Sequence, residues 1–493
     1  MKNININLNK ILGDLKTPWT FGANTCHAIL WKRKDLQKHA KKSHEVCGFR
    51  YVRFHNFISK WTDVYNEDEQ GNPIYNFENL DEIFDNIIKC GYFPFLEISF
   101  CPEALSAKPH IFFDGYEPNV AMPDSFEKWE SMIKTIVTHF KDRYGIECLK
   151  KWYFEVWNEP DLFHDGTMTT DIYFELYDYT VRAVKSVDDA LMVGGPATSK
   201  CLWVKEFIEH VEKGSEVFGG DRVPCDFIST HAYPSDVAFL DTDYGDVKLQ
   251  NSNLMYTLFS KTREIMNNSS LSDVPLIMGE WNSSAGPFAI NHDHKNNAAY
   301  IVKIFDDLGD IIDGSLYWNM SDIYQECGFH HIPFHGGYGL TNVNDIPKSS
   351  FNAFALLNEL KGKKVETLAS GEKGSYGYLS ALDEENKVLN ILFYNYEEPE
   401  EESKEITFDI EINGIDRETT SIFTKTICDE QGSAYEWWLK LGSPWFVNKE
   451  ILELLEKKSM PKEDELVIFK DNGKYKFKVE LGLGDIALYK IQV

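Results

Sequence analysis

Short hydrophobic runs that end in polar or aromatic residues alternate with longer segments along the first 360 residues of the chain. The runs are nearly continuous in apolar residues, which is typical of parallel strands whose two faces are both covered. Eight of them occur, at residues 19–28, 49–56, 93–99, 152–160, 191–197, 227–233, 276–282 and 314–320. We expect each run to form one buried strand.

The segments between these runs carry apolar residues at i, i+3 and i+4, which is the spacing of an amphipathic helix. Clear examples span residues 77–90, 125–144, 171–187 and 253–266. Ser125 and Asp171 stand where N-cap residues are expected. Eight strand–helix alternations within residues 19–360 predict an α/β fold of the (β/α)8 TIM-barrel type. The alternative, a doubly wound sheet, would carry a glycine-rich nucleotide turn, and no GxGxxG, GxxxxGKS or GxxxxGKT sequence is present.

The pattern changes after residue 361, where short alternating segments are joined by Gly, Asn and Asp turns. Strands are predicted at residues 376–381, 387–394, 405–412, 465–470, 474–481 and 486–491. They predict a C-terminal β-sandwich accessory domain over residues 361–493, with a helical insertion around 434–459. The alternation of Ile4, Ile6 and Leu8 predicts an N-terminal strand within residues 1–18 that joins this sheet.

Composition and charge exclude several classes of partner. The 493 residues include 50 Lys and Arg against 78 Asp and Glu, a formal charge of −28 that repels nucleic acid and anionic membranes. No apolar run reaches the roughly 18 residues of a membrane span, and the N-terminus lacks the apolar block of a signal peptide. The nine cysteines include no CxxC pair, which favours reduced thiols in a cytoplasmic protein.

Two glutamates directly follow predicted barrel strands, at the end of a barrel where catalytic residues are found. Glu159 ends the fourth run and Glu280 ends the seventh, so their side chains can face each other across one pocket. Two carboxyl groups facing a sugar ring are the minimum requirement for glycoside hydrolysis. One must hold a proton, which apolar surroundings or like charges favour, while the other stays ionised. The alternative is that each glutamate forms a structural ion pair.

The segment 154–160 (FEVWNEP) resembles the acid/base signature of retaining glycosidases with (β/α)8 barrels. Further similar segments are Tyr51–His55, 95–98, 143–145, 193–196, 226–233, 279–282, 317–318, 321–323 and 334–340, together with Trp129. Over most of residues 20–360 the chain is similar to glycoside hydrolase family 39, which contains β-xylosidases and α-L-iduronidases. Trp437-Trp438 and the segment 442–444 resemble the accessory domain of the xylosidases.

The resemblance implies that Glu159 is the general acid/base and Glu280 the nucleophile. It also implies a set of residues that bind the sugar or orient the nucleophile: His55, Asn158, His231, Tyr233, Trp318 and Glu326. Within this set, Asn158 would bond the sugar 2-hydroxyl and Trp318 would form the floor of the pocket. The resemblance also allows a homo-oligomer with the C-terminal segments as contacts.

One position departs from the family. Gln325 stands where the family's xylosidases often carry the first of two adjacent acids, which leaves the identity of the sugar open. The loop 328–335 contains no Arg or Lys to hold a uronate carboxylate, which favours a neutral sugar. The five histidines of this region, His292, His294, His330, His331 and His335, match no metal-ligand spacing. We therefore predict neither a metal nor another cofactor.

These observations predict a retaining exo-β-xylosidase that trims short xylo-oligosaccharides in the cytoplasm, with no nucleic-acid or membrane partner. One alternative is a glycosidase of the same family acting on another sugar, such as an α-L-iduronidase-like enzyme or an arabinosidase. The other is a non-catalytic sugar-binding protein. Such a protein needs aromatic side chains but not two opposed carboxylates, so the pair Glu159 and Glu280 argues against it.

Overall fold

The computed structural model describes residues 2–113, 115–235, 251–324, 326–328, 330–370, 374–399 and 404–493. Gln325 and part of the acidic stretch near residue 400 lie outside these ranges. The strands are β1 (Lys2–Asp14), β2 (Gly22–His27), β3 (Tyr51–His55), β4 (Tyr65–Glu67), β5 (Pro73–Tyr75), β6 (Phe93–Ile98), β7 (Tyr153–Val156), β8 (Met192–Thr198), β9 (Phe227–His231), β10 (Leu276–Trp281), β11 (Gly314–Tyr317), β12 (Lys363–Ala369), β13 (Tyr376–Asp383), β14 (Val388–Asn395), β15 (Ile406–Asn413), β16 (Thr419–Ile427), β17 (Lys462–Asp471), β18 (Lys474–Leu481) and β19 (Ile486–Gln492).

The α-helices are α1 (Lys34–Cys47), α2 (Glu78–Lys89), α3 (Phe126–Tyr144), α4 (Ile146–Leu149), α5 (Thr170–Lys185), α6 (Val204–Lys213), α7 (Asn253–Asn267), α8 (Asn296–Leu308), α9 (Ser349–Asn358), α10 (Ala434–Lys440) and α11 (Lys449–Ser459). Ser125 caps α3, its hydroxyl accepting from the Lys128 amide at 3.2 Å, as the sequence predicts. The predicted cap of α5 is wrong: Thr169 accepts from the Ile172 amide, and Asp171 lies inside the first turn. None of the described helices has both the length and the apolar character needed to cross a membrane.

A closed barrel of parallel strands forms the centre of the molecule. Within the described chain its order is β10-β11-β2-β3-β6-β7-β8-β9, and every neighbouring pair is parallel. Each of the eight predicted runs overlaps one of these strands, so the predicted (β/α)8 barrel is confirmed. Both faces of the strands are covered, which explains their nearly continuous apolar sequence.

The interior of the barrel is layered along the strands. Alternate residues of a strand point to the same face, so Phe95 and Glu97 of β6 both point inward, as do Tyr153 and Glu155 of β7. The N-terminal layer is hydrophobic and consists of Phe21, Phe95, Tyr153, Phe227, Ile277 and Leu316. The next layer along the strands, which contains Glu97 and Glu155, is the first with charged side chains, and it packs on this hydrophobic layer.

The strands after residue 361 form one closed ring with β1, where the sequence predicts a β-sandwich. Among the described strands, β1-β12-β13-β14-β19-β16-β17-β18-β15 are hydrogen-bonded in sequence and enclose a common apolar core. Two corners close the ring: β12 meets β13 at one residue pair, Lys363 and Leu382, and β17 meets β18 at two pairs. β12 and β16 were missing from the predicted strands. β1 pairs with β12 and β15, so the N-terminal strand is part of this ring.

A buried ion cluster fixes the long loop that follows β11. The Lys348 ammonium lies 2.6 Å from Asp293 Oδ1 and 2.7 Å from Asp322 Oδ2, and it donates to the Gly337 carbonyl at 2.7 Å. All three charged side chains are buried. Lys348, which directly precedes α9, therefore connects to both ends of the loop: to Asp322 through an ion pair and to Gly337 through a hydrogen bond.

Replacing Lys348 with Met should lower the free energy of unfolding by about 3–5 kcal/mol, because two buried carboxylates lose their cation. Lys205→Met is the control: Lys205 on α6 is exposed, with Nζ 3.6 Å from Glu209 Oε1, and its loss should cost less than about 1 kcal/mol. Denaturant unfolding of both variants measures the difference. Equal small losses would show that the cluster does not stabilise the fold.

Candidate active site

The loop after β7 presents Glu159 through a tight, unusual backbone. Trp157 and Glu159 both have left-handed φ angles, of 67° and 41°. The turn is fixed by hydrogen bonds: the Glu159 amide donates to the Ala197 carbonyl at 2.9 Å, and the Leu162 and Phe163 amides donate to the Glu159 carbonyl. Strained conformations persist where the surroundings over-determine them, as they do here. The position of the Glu159 side chain is therefore set by the backbone of β7 and β8.

A register shift in β10 brings Glu280 into the barrel. Ile277 belongs to the inward apolar layer, so regular alternation would turn Gly279 inward and Glu280 outward. The pairing of β10 with both neighbours shifts after Met278, as in a β-bulge. A Cβ on Gly279 would lie 3.2 Å from His231 Nε2, so glycine leaves the space that this irregularity needs. Glu280 consequently shares the cavity with Glu159.

The two carboxyl groups meet at His231, the last residue of β9. His231 Nδ1 lies 2.9 Å from Glu159 Oε1 and 3.8 Å from Glu280 Oε2. One oxygen of each carboxyl group and a nitrogen of His231 all lie within 4.8 Å of one another. Burial lowers the pKa of His231 to about 4, although the charge of Glu280 acts in the opposite direction.

Arg53 on β3 is the cation of the layer beneath the pocket. Its guanidinium lies 2.8 Å from Glu97 Oε2, 2.6 Å from Glu155 Oε2 and 3.3 Å from Glu280 Oε2. It also donates to the amide oxygen of Asn158 at 2.9 Å. The other oxygen of Glu280, Oε1, accepts from the Tyr233 hydroxyl at 2.6 Å. Both oxygens of Glu280 are thus held by charged or hydrogen-bonding neighbours.

The surroundings give the two glutamates different proton affinities. Burial, followed by the charge of Asp161, raises the pKa of Glu159 to about 8. Burial also raises the pKa of Glu280, to about 7, although His231, Arg53 and the Tyr233 hydroxyl act in the opposite direction. Glu159 therefore keeps its proton to higher pH than Glu280 does. The pair can supply one acid and one carboxylate at the same time.

Glu326 and His55 lie at the floor of the pocket. His55 Nε2 lies 3.0 Å from Glu326 Oε1, and the Tyr324 hydroxyl donates to Glu326 Oε2 at 2.6 Å. Trp318 stacks on His55 with ring centroids 5.8 Å apart and planes at 22°. This part of the lining thus offers one carboxylate, one imidazole and one indole, and all three side chains are buried.

The opposite wall, next to Glu159, is mainly hydrophobic. Phe163 follows Glu159 in the same turn, and its ring centroid lies 4.7 Å from Phe112 and 5.5 Å from Phe113. Leu162 and the exposed side chain of Lys200 complete this wall. A bound molecule would therefore meet hydrogen-bonding groups at the floor and apolar surface near Glu159.

All eight residues predicted for the site line this one cavity of about 210 Å³: His55, Asn158, Glu159, His231, Tyr233, Glu280, Trp318 and Glu326. The predicted Gln325 lies outside the described residues. The five histidines 292, 294, 330, 331 and 335 are absent from the closely spaced ligand groups found in the described chain. His292 is instead a buried structural residue that contacts the carbonyls of Ser284 and Gly336.

Several residues of the site were not predicted as part of it. Tyr324, Tyr338, Lys200 and the phenyl rings of the hydrophobic wall lie in loops, where no periodicity marks them. Arg53 stands at the end of the second predicted run, and that position is the signal that could have identified it. Cys26 and His27 lie beneath the floor and become neighbours of Glu326 only in the folded barrel.

Comparison with known proteins gives consistent matches over nearly the whole chain. The model of glycosyl hydrolases family 39 matches residues 2–476. A β-xylosidase of Caldicellulosiruptor saccharolyticus is 34% identical over 94% of this chain and 92% of its own. A β-xylosidase of Geobacillus stearothermophilus is 34% identical over 89% of this chain and 86% of its own. The crystal structure of a monomeric β-xylosidase from Caulobacter crescentus CB15 superposes with a TM-score of 0.89 at 27% identity, covering 100% of this chain and 99% of that one.

Replacing Tyr233 with Phe should raise the pKa of Glu280, because the hydroxyl that stabilises the carboxylate is lost. Carbon-13 NMR titration of the glutamate carboxyls measures this pKa. Tyr324→Phe is the matched control, since the Tyr324 hydroxyl donates to Glu326 instead. An unchanged Glu280 titration in the Tyr233 variant would contradict the geometry.

Proposed function

This chain belongs to glycosyl hydrolase family 39, and from that premise we propose that it is a retaining exo-β-xylosidase acting on short xylo-oligosaccharides. The observation that carries the proposal is the pair Glu159 and Glu280, with carboxyl oxygens within 4.8 Å of each other in one pocket. Retaining glycosidases have carboxyl groups about 5–5.5 Å apart, whereas inverting enzymes separate them by about 6.5–9.5 Å to admit a water. The short separation supports a covalent intermediate.

In the proposed reaction Glu280 attacks the anomeric carbon while Glu159 gives its proton to the leaving oxygen. The glycosidic bond breaks and a xylosyl ester of Glu280 forms. Glu159, now ionised, takes a proton from water, whose oxygen attacks the same carbon and releases Glu280. Two inversions retain the anomeric configuration.

The surroundings of each glutamate fit these roles. Arg53 and Tyr233 each hold one oxygen of Glu280, which orients the attacking carboxylate. Glu159 has the higher pKa and faces the apolar wall, where a leaving group would lie. Asn158 is fixed by Arg53 beside both carboxyls, where its amide can bond the sugar 2-hydroxyl, an interaction that strengthens in the transition state.

The buried floor supports an exo-acting enzyme for a neutral sugar. His55, Trp318 and Glu326 are buried in the cavity lining, which favours binding of a terminal residue next to them. Glu326 would repel the carboxylate of a uronate, and the described lining of this floor includes no Lys or Arg. Carboxylate and imidazole are suitable partners for hydroxyl groups. The relatives that are 34% identical carry the name β-xylosidase, which supports xylose as the sugar.

The proposal is tested by following hydrolysis of an aryl β-xyloside and of xylobiose by proton NMR. The first-formed sugar should be β-xylose, with α-xylose appearing later by mutarotation. First-formed α-xylose would reject the retaining mechanism. A panel of nitrophenyl glycosides run in parallel separates the alternatives, because turnover of another sugar without xylosides would reject the assignment to xylose.

The pH profile of kcat/KM should be bell-shaped. Activity needs Glu280 ionised and Glu159 protonated, so the rate should fall below about pH 7 as Glu280 gains a proton and above about pH 8 as Glu159 loses one. Asp161→Asn removes a charge that raises the pKa of Glu159, so the alkaline limb should move to lower pH.

Asp165→Asn is the control for this shift, because Asp165 lies in the same loop but hydrogen-bonds to Thr167. Both limbs should stay in place in this variant. An alkaline limb that does not move in Asp161→Asn would show that another group limits the rate at high pH.

A further inference from the structure

Four buried side chains that can bind metal ions lie close together at the floor of the pocket. They are one thiol, two imidazoles and one carboxylate. Cys26 and His27 end β2, His55 ends β3, and Glu326 lies in the loop after β11. All four residues are more than nine-tenths buried. A potential ligand atom from each lies within 4.8 Å of the others.

The distances within this cluster are close to those of a tetrahedral zinc site. Metal–ligand bonds of about 2.0–2.3 Å to nitrogen, oxygen and sulfur place neighbouring ligand atoms about 3.3–3.7 Å apart. Glu326 Oε1 lies 3.2 Å from Cys26 Sγ, 3.0 Å from His55 Nε2 and 2.9 Å from His27 Nε2. Cys26 Sγ and His55 Nε2 are 3.9 Å apart. These four separations lie close to the tetrahedral range, and the remaining pairs of ligand atoms lie within 4.8 Å.

Three of these groups crowd around one oxygen, Glu326 Oε1, and His27 Nε2, at 2.9 Å, is poorly aligned with it for a hydrogen bond. Glu326 Oε1 is already bonded to Cys26 and His55, and Oε2 accepts from Tyr324. His27 Nε2 is buried next to Oε1, yet it has no aligned hydrogen-bond partner among the described residues. Buried polar atoms without a partner are rare in folded proteins, and an ion is one explanation for them. A cation bound to all four groups would use this nitrogen.

The groups around the cluster would hold the ligands in place. The Tyr324 hydroxyl donates to the outer oxygen of Glu326 at 2.6 Å. His55 Nδ1 lies 3.8 Å from Glu97 Oε2. Contacts of this kind orient the ligands in metal sites. His55 and Glu326 also line the pocket, which gives an ion a route of entry.

We propose that Cys26, His27, His55 and Glu326 form a binding site for a thiophilic divalent cation, with Zn²⁺ the best match to one thiolate, two imidazoles and one carboxylate. Binding releases the proton of the Cys26 thiol to solvent. The next step rests on the proposed function, in which His55 and Glu326 contact the terminal sugar. Because the cation would use the same two side chains, cation and sugar exclude each other. Zn²⁺ is then a reversible inhibitor that competes with the substrate. The sequence predicted no metal because these ligands come from three separate segments.

The binding site is tested directly with Co²⁺ and Zn²⁺ on the full chain after treatment with a chelator. Wild type should bind one Zn²⁺ per chain, and Co²⁺ should give a thiolate charge-transfer band in the near ultraviolet. Cys26→Ser should lose the band and bind Zn²⁺ at least about tenfold more weakly. Cys327→Ser removes the thiol next to Glu326 and should keep both properties. Thermal unfolding of each variant confirms that it is folded.

An absent band in wild type, a band retained in Cys26→Ser or a band lost in Cys327→Ser would overturn the site. Competition is read from kinetics: Zn²⁺ should raise the KM for an aryl xyloside and leave kcat unchanged in wild type and Cys327→Ser. In Cys26→Ser the same rise in KM should need at least about tenfold more Zn²⁺. If Co²⁺ gives the thiolate band but Zn²⁺ has no effect on KM, competition between cation and sugar is rejected. Absence of xyloside turnover would reject the proposed function, while the spectrum would still decide the metal site.

Discussion

The buried guanidinium of Arg53 is the interaction on which the active site depends. It contacts Glu97, Glu155 and Glu280 in a fully enclosed layer of the barrel. Buried charges are tolerated only when they are paired and hydrogen-bonded, and one cation cannot neutralise three carboxylates. Burial accordingly raises the pKa of Glu97 well above its usual range. The layer therefore places the Arg53 cation against Glu280 from below and favours a proton on Glu97.

The layers below and above Arg53 follow from strand geometry. Strand residues two positions apart share a face, so the apolar floor at Phe95 and Tyr153 leads directly to Glu97 and Glu155. The packed rings exclude water from below, which strengthens the electrostatic interactions of the charged layer. Above this layer regular alternation ends. Left-handed residues after β7 and the shifted register of β10 turn Glu159 and Glu280 towards one point.

Strands could be predicted from the sequence where both of their faces are buried, and less well where only one face is buried. The barrel strands could be predicted because both faces are covered and the runs are nearly continuous, and Glu159 and Glu280 stood out because each ends such a run. β16, with the sequence TTSIFTKTI, buries alternate residues among Thr, Ser and Lys, and its apolar signal is diluted. Closure of the C-terminal ring depends on very short ladders, such as the pair Lys363 and Leu382, which have no sequence signature. The approach of Cys26 and His27 to Glu326 is equally non-local.

Arg53 also contributes to the difference between the two glutamates. The guanidinium touches Glu280 directly at 3.3 Å, whereas its nearest contact towards the Glu159 turn is the amide of Asn158. Glu280 is further stabilised as a carboxylate by the Tyr233 hydroxyl, while Glu159 has Asp161 as a like-charged neighbour. Because both carboxyls are buried, these unequal neighbours rather than solvent exposure decide which one holds the proton. The cation, the tyrosine hydroxyl and the neighbouring aspartate together leave Glu159 with the higher pKa of the pair.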